Sequence, residues 1–125
     1  MISKREVAIK YINFLEKGNI KNLLSLFTKD AIVDSPVYGK MDANRFYNVL
    51  NNDTTSSELK LKGIFEENDT NKLALYFKYK WTLKNNKQVE FDVVDIIEFN
   101  DSMHIYKLKI IYDTVKSREL VNELR

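Results

Sequence analysis

The sequence predicts an α+β fold, with three short helices in the N-terminal half, an antiparallel β-sheet after them and a short C-terminal helix. Apolar residues recur every three or four positions up to Leu50 and every second position from Ser57 onward, a change from helical to extended period. Three polar clusters, Asn68-Asp69-Thr70-Asn71, Lys84-Asn85-Asn86-Lys87 and Asn100-Asp101-Ser102, divide the extended half into four long strands. Connections this tight join antiparallel neighbours, because parallel strands need a long crossover.

Ser3 followed by Glu6 forms a capping box, and Val7, Ala8, Tyr11, Ile12, Phe14 and Leu15 continue at helical spacing to about Lys17. Gly18 suits a left-handed helix end, and Asn19 caps a second helix carrying Ile20, Leu23, Leu24, Leu26 and Phe27. Ala31 to Ser35 reads as a short strand stopped by Pro36, which lacks an N–H for pairing. Asp42 caps a third helix with Phe46, Tyr47 and Leu50 turned inward. Within the sheet, one face collects Leu59, Leu61 and Phe65 (with a bulge near Gly63), then Leu73, Leu75, Phe77, Tyr79 and Trp81. Val89, Phe91, Val93, Asp95, Ile97 and Phe99 continue that face, followed by Tyr106, Leu108, Ile110 and Tyr112. Residues 114–125 make a last amphipathic segment with Val115, Leu120, Val121 and Leu124 on one side.

At 125 residues, with no repeat or linker, the chain is expected to be one domain over residues 1–125. Twenty Lys and Arg against eighteen Asp and Glu are scattered along the chain, which does not point to a nucleic-acid partner. No cysteine is present, so disulfides and thiolate chemistry are excluded. With a single histidine, His104, beside a turn, no metal site and no cofactor are expected. The start of the chain enters an amphipathic helix without an apolar leader core, and no apolar run approaches membrane-spanning length. A cytoplasmic location without membrane contact is the expectation.

Asp95 is the residue that points to chemistry, because it interrupts an otherwise apolar strand face. An ionised carboxylate there loses its hydration, so either a partner must compensate or the group keeps its proton. Asp95 is thus either a core polar residue satisfied by a nearby donor or the centre of a site. The opposite sheet face alternates Lys78, Lys80, Lys107 and Lys109 with Glu90, Asp92 and Glu98 around Tyr76, Val94, Ile96 and Ile111. Such a half-polar face suits either solvent or a homodimer in which Lys stripes meet acidic stripes across a two-fold axis.

Several segments carry a family likeness: Tyr11-Ile12, Gly18-Asn19-Ile20, Asp30-Ala31-Ile32-Val33-Asp34-Ser35-Pro36-Val37, Asp92-Val93-Val94-Asp95 and Phe99-Asn100. In order and spacing these resemble the bacterial ketosteroid isomerases, within the nuclear transport factor two-like superfamily that also holds the SnoaL-like proteins. The resemblance runs nearly to Tyr112 and implies a cone: three N-terminal helices packed on a strongly curved antiparallel sheet. It also implies that Tyr11 and a protonated Asp95 form an oxyanion hole for an enolate, the arrangement known from ketosteroid isomerase itself. Ser35, Phe14, Trp81, Phe91, Val93 and Tyr112 would contact the substrate, a small hydrophobic ligand bearing a carbonyl or hydroxyl.

One position departs from the pattern. The family places its general base, an aspartate, directly before the proline, where this chain has Ser35. Asp34 is the candidate replacement, although period two turns it to the other strand face unless the Pro36 turn twists it inward. The short segment from Pro36 to Gly39 also alters the pocket mouth and argues against a steroid. Three readings follow: an isomerase or lyase acting next to a carbonyl, a binding module that lost its base, or an interaction protein whose cone is filled by Phe14, Trp81 and Tyr112. Arg45 is expected to face out of the third helix, away from any such pocket.

Overall fold

The computed structural model describes residues 2–125. Helix α1 (Lys4–Lys17) begins where the Ser3 hydroxyl accepts the Glu6 amide at 3.1 Å, and ends at Gly18. Gly18 has φ +67, and its N–H closes back on Leu15 and Phe14. A left-handed terminus of this kind strains any residue with a Cβ. Asn19 caps the short α2 (Ile20–Leu24), and Asp42 caps α3 (Ala43–Asn52) by accepting the Arg45 amide at 2.9 Å.

Six strands form one curved, open sheet in the order β2-β1-β6-β5-β4-β3. They are β1 (Phe27–Ser35), β2 (Gly39–Asp42), β3 (Thr54–Glu66), β4 (Lys72–Leu83), β5 (Gln88–Phe99) and β6 (Ile105–Ile111). The meander β3 to β6 is antiparallel, with turns at the three predicted clusters. The sheet as a whole is mixed, however, because β1 lies parallel to β6. No tight turn joins those two strands, so helix packing rather than connection length decides their relative direction. β1 also starts four residues earlier than expected, and the short turn after Pro36 returns the chain as the unforeseen strand β2.

The core follows from the alternation. Leu73, Leu75, Phe77, Tyr79, Trp81 and Leu83 of β4 are all buried against the helices, with Val89, Val93, Ile97 and Phe99 of β5 beside them. Burying each large apolar side chain contributes about 1.5–3 kcal/mol. Two bulges shift the register from the simple pattern. Between Leu61 and Gly63 the extra residue turns Ile64 inward opposite Leu75 and sends Phe65 outward, 60% exposed. Phe65 then folds over Gly63, whose absent Cβ would sit 2.8 Å from the ring. A second shift between Glu98 and Phe99 buries Ile105 and leaves Tyr106 outside, its hydroxyl donating to Glu98.

Helix α4 (Val115–Glu123) crosses the end of the sheet where the β1–β2 turn, the β4–β5 turn and the end of α3 meet. Leu120 and Val121 are buried, but Val115 is 73% exposed instead of sharing their side. Polar contacts hold the helix: Arg118 donates to the Pro36 carbonyl, Lys87 meets Glu123, and Arg125 grips Asp53. Among the described residues, no helix is long and apolar enough to cross a membrane.

Candidate active site in the cone

Asp95 is 1% exposed, and neither carboxylate oxygen has a hydrogen-bond partner. Burial alone pushes its pKa well above the ordinary 3.8, because no charge or donor favours the ionised form. Burial thus favours the neutral carboxylic acid over the carboxylate. Asp95 lines a cavity with an almost wholly apolar wall, into which Tyr11, Tyr47 and Tyr79 also project.

Tyr11 does not hydrogen-bond to Asp95. Its hydroxyl instead meets that of Tyr47 at 2.7 Å, with the rings 6.1 Å apart in an edge-on arrangement. Burial first, then the charges of Tyr47 and Asp95, raises the Tyr11 pKa, and burial followed by Asp95 does the same for Tyr47. Tyr79 is pushed up to about 12, mainly by burial and partly by Asp95, while its hydroxyl bond to Ser57 at 2.7 Å opposes the shift. All three phenols therefore stay protonated at neutral pH. A charge on Asp95 would oppose ionisation of each of them.

One wall is a column of rings. Tyr79 stacks on Phe91 at 5.5 Å, and Phe91 on Tyr112 at 4.4 Å, within 19° of parallel. Trp81 closes the same side with its indole N–H satisfied by Thr54 at 2.8 Å. Ser35 and Val93 reach the cavity too, and the Ser35 hydroxyl accepts the Tyr38 amide at 3.3 Å. Of the predicted site residues, Tyr11, Ser35, Trp81, Phe91, Val93, Asp95 and Tyr112 converge on one space.

Two predicted residues do not. Phe14 is half-buried against the core and does not line the cavity. Asp34 faces the outer groove with Asp30, Asp42 and Arg45, in register with Lys40 and Lys109. Strand alternation holds through Pro36, so Ser35 points in and Asp34 points out. Among the described residues, Asp95 is the one carboxyl group that lines the cavity.

In the sequence, Tyr47 and Tyr79 look like ordinary core residues. Their signal was a hydroxyl on each apolar face, invisible as function until the faces meet. The cavity measures about 40 Å³ as it stands, well below the roughly 300–1,000 Å³ of ordinary ligand sites. Room for a few waters remains, so the cone is neither filled solid nor open to a steroid.

No protein-family model matches the sequence, and no curated protein does. Solved structures do match along almost the whole chain. An NTF2-like protein of unknown function from Burkholderia pseudomallei superposes with a TM-score of 0.82 at 11% identity, covering 97% of this chain and 98% of that one. The chain shares the fold of these NTF2-like structures. TerC, crystallised with polyporic acid, aligns with a TM-score of 0.79 at 15% identity over 95% of this chain and 98% of its own. SalBIII, an epoxide hydrolase/cyclase-like enzyme described in pyran ring formation in the polyether salinomycin, aligns at 0.77 and 13% identity over 88% and 90%. At such identities the NTF2-like likeness concerns the path of the backbone, and the chemistry must be argued from the side chains.

Proposed function

We propose that this NTF2-like domain, spanning residues 1–125, binds a small, uncharged, largely apolar molecule inside the cone and holds a carbonyl or hydroxyl oxygen of that ligand with the protonated carboxyl of Asp95. The observation that carries this reading is the pair of unpartnered Asp95 oxygens sealed in an apolar hollow. A buried polar group without a partner costs about 1–3 kcal/mol, which a ligand oxygen would recover. The hydroxyl-bonded Tyr11 and Tyr47 line the same cavity and would supply a second donor. The small-molecule ligand of TerC, a protein of the same fold, supports the same reading.

The inward Ser35 and outward Asp34 favour binding without turnover, since serine cannot remove a proton at neutral pH without its own base. A second reading, an isomerase or lyase acting through an enolate, is favoured by the donor set alone: an uncharged acid beside a phenol suits developing negative charge on oxygen. Infrared spectroscopy should show a protonated carboxyl at neutral pH in the native protein and its loss in Asp95→Asn. A native spectrum in which every carboxyl is ionised would sink the proposal. The readings separate on α-proton exchange of simple enones: no exchange above buffer supports binding, and appearance of exchange in Ser35→Asp supports descent from an isomerase.

Homodimerisation through the outer sheet face is part of the proposal. Lys78–Glu90 at 2.8 Å and Lys107–Glu98 at 3.9 Å already neutralise one another within the sheet. The apolar Tyr76, Val94, Ile96 and Ile111 between them, the last 48% exposed, would then supply the contact. Sedimentation of Ile111→Lys beside the native protein tests this. The cysteine-free composition supports a cytoplasmic location.

A further inference from the structure

The 40 Å³ cavity shares three of its wall residues, Leu15, Leu50 and Tyr79, with a second hollow of about 210 Å³ on the far side. That outer hollow lies between the C-terminal ends of α1 and α3 and the start of β3, and exposed Asn51, Thr55 and Ser56 form its rim. The same side chains touch both spaces, so the partition between them is one side chain thick. Tyr79 bridges it: the ring stacks on Phe91 in the inner wall, while the hydroxyl binds Ser57 in the outer one. Leu50 is only half-buried, and rotation of an unbranched or γ-branched side chain at a rim is a small, fast motion.

We infer that the two hollows are the two ends of one binding site, with Leu50 and Leu15 as the gate between them. Neither space alone reaches the lower bound of ordinary ligand sites, and joined they approach it. Their chemistry differs. The inner end is apolar except for the Asp95 acid and its phenols, whereas the outer end is lined by hydroxyl and amide groups and carries one acidic and one basic residue, Glu16 and Lys17. The Glu16 carboxylate is itself engaged by the Leu59 amide at 2.9 Å.

Strand geometry fixes the length of the occupant. Asp95 stands opposite Leu75 on β4, and Tyr79 follows four residues later, so the two ends lie about 13 Å apart at the usual rise per residue. The ligand class is therefore an elongated, uncharged amphiphile: an apolar body with a carbonyl or hydroxyl oxygen at the Asp95 end and a neutral hydrogen-bonding group at the outer end. This inference rests on the proposed role of Asp95 and goes beyond it by adding the outer subsite.

Calorimetric titration with acetophenone and with 4-(4-hydroxybutoxy)acetophenone tests it, since the second carries the same head on a tail long enough to reach the rim. The native protein should bind the long ketone about tenfold more tightly than the short one, the gain expected of one or two added hydrogen bonds. Ser56→Trp, at an exposed rim position, should erase that advantage, while Lys60→Trp, exposed on the same strand outside the hollow, should keep it. Equal affinity for both ketones, or an advantage that survives Ser56→Trp, overturns the two-ended site. In either case, weakened acetophenone binding in Asp95→Leu would leave the inner-cavity reading standing. Ketones that bind Asp95→Leu, which lacks any donor, as tightly as the native protein, or bind neither, overturn both.

Discussion

Two aspartates in this protein are equally hidden from water and have opposite surroundings. Asp53, 2% exposed at the end of α3, receives two hydrogen bonds from Arg125 at 3.1 and 2.8 Å and one from the Tyr38 hydroxyl at 2.7 Å, with Lys84 3.7 Å away. Burial alone would raise its pKa, but the Arg125 and Tyr38 hydrogen bonds and the two positive charges outweigh it and hold the group below its ordinary value. Asp95 has the burial without the partners, and its pKa moves the other way. Burial of a carboxylate does not by itself mark a site. A satisfied one ties elements together, here α3, the β1–β2 turn and the end of α4, whereas an unsatisfied one is kept at a cost to stability that function must justify.

The sharpest test of this contrast is the pH dependence of the two stabilities, which should have opposite signs. For Asp95, the native state keeps a proton that the unfolded chain releases above pH 3.8, so native stability falls as pH rises toward the raised native pKa. Asp95→Asn does not titrate. It should match the native protein below pH 3.8 and then gain on it by about 1.4 kcal/mol per pH unit up to that raised pKa, read by denaturant melts across pH. A constant offset at all pH values would mean that Asp95 is not held protonated.

Asp53 should behave in the reverse sense with a smaller amplitude. Asp53→Asn should cost about 2 kcal/mol at neutral pH, a value tempered by the half-exposed Arg125 and Lys84 partners. That loss should shrink as pH falls through the depressed native pKa, below 3.8, where the native carboxyl also becomes neutral. Next in size is the phenol pair. Tyr47→Phe or Tyr11→Phe should each cost about 1 kcal/mol by leaving a buried hydroxyl without its partner, and the double variant should cost less than the two combined. The smallest effect belongs to Asp34→Asn, which should change stability by no more than about 0.5 kcal/mol and leave any proton exchange unaltered, because that carboxylate lies on the outer face.

How far the site was legible in the sequence can be followed residue by residue. Asp95 was visible because a two-residue period exposes any polar intruder, and Ser35 because the same period separates it from Asp34. Tyr47, Tyr79 and Asp53 were not. A tyrosine on an apolar face reads as core until its hydroxyl partner is known, and Asp53, directly after Asn51 and Asn52, reads as an ordinary polar helix end. The register shifts at Gly63 and Glu98 reversed Phe65 and Tyr106, since one inserted residue flips every side chain beyond it.

Much of the local order is written in the chain: the caps of α1 and α3, the three turns of the meander, and the one acid set among hydrocarbon. Those features depend on neighbours a few positions apart, through backbone geometry and side-chain period. Long-range packing set the rest: β1 parallel to β6, Tyr11 bonded to Tyr47 rather than Asp95, and Arg125 closed on Asp53 across 72 residues of chain. Such pairings compare free energies between distant segments, and no local pattern encodes which distant group will stand within reach of a given hydroxyl or carboxylate.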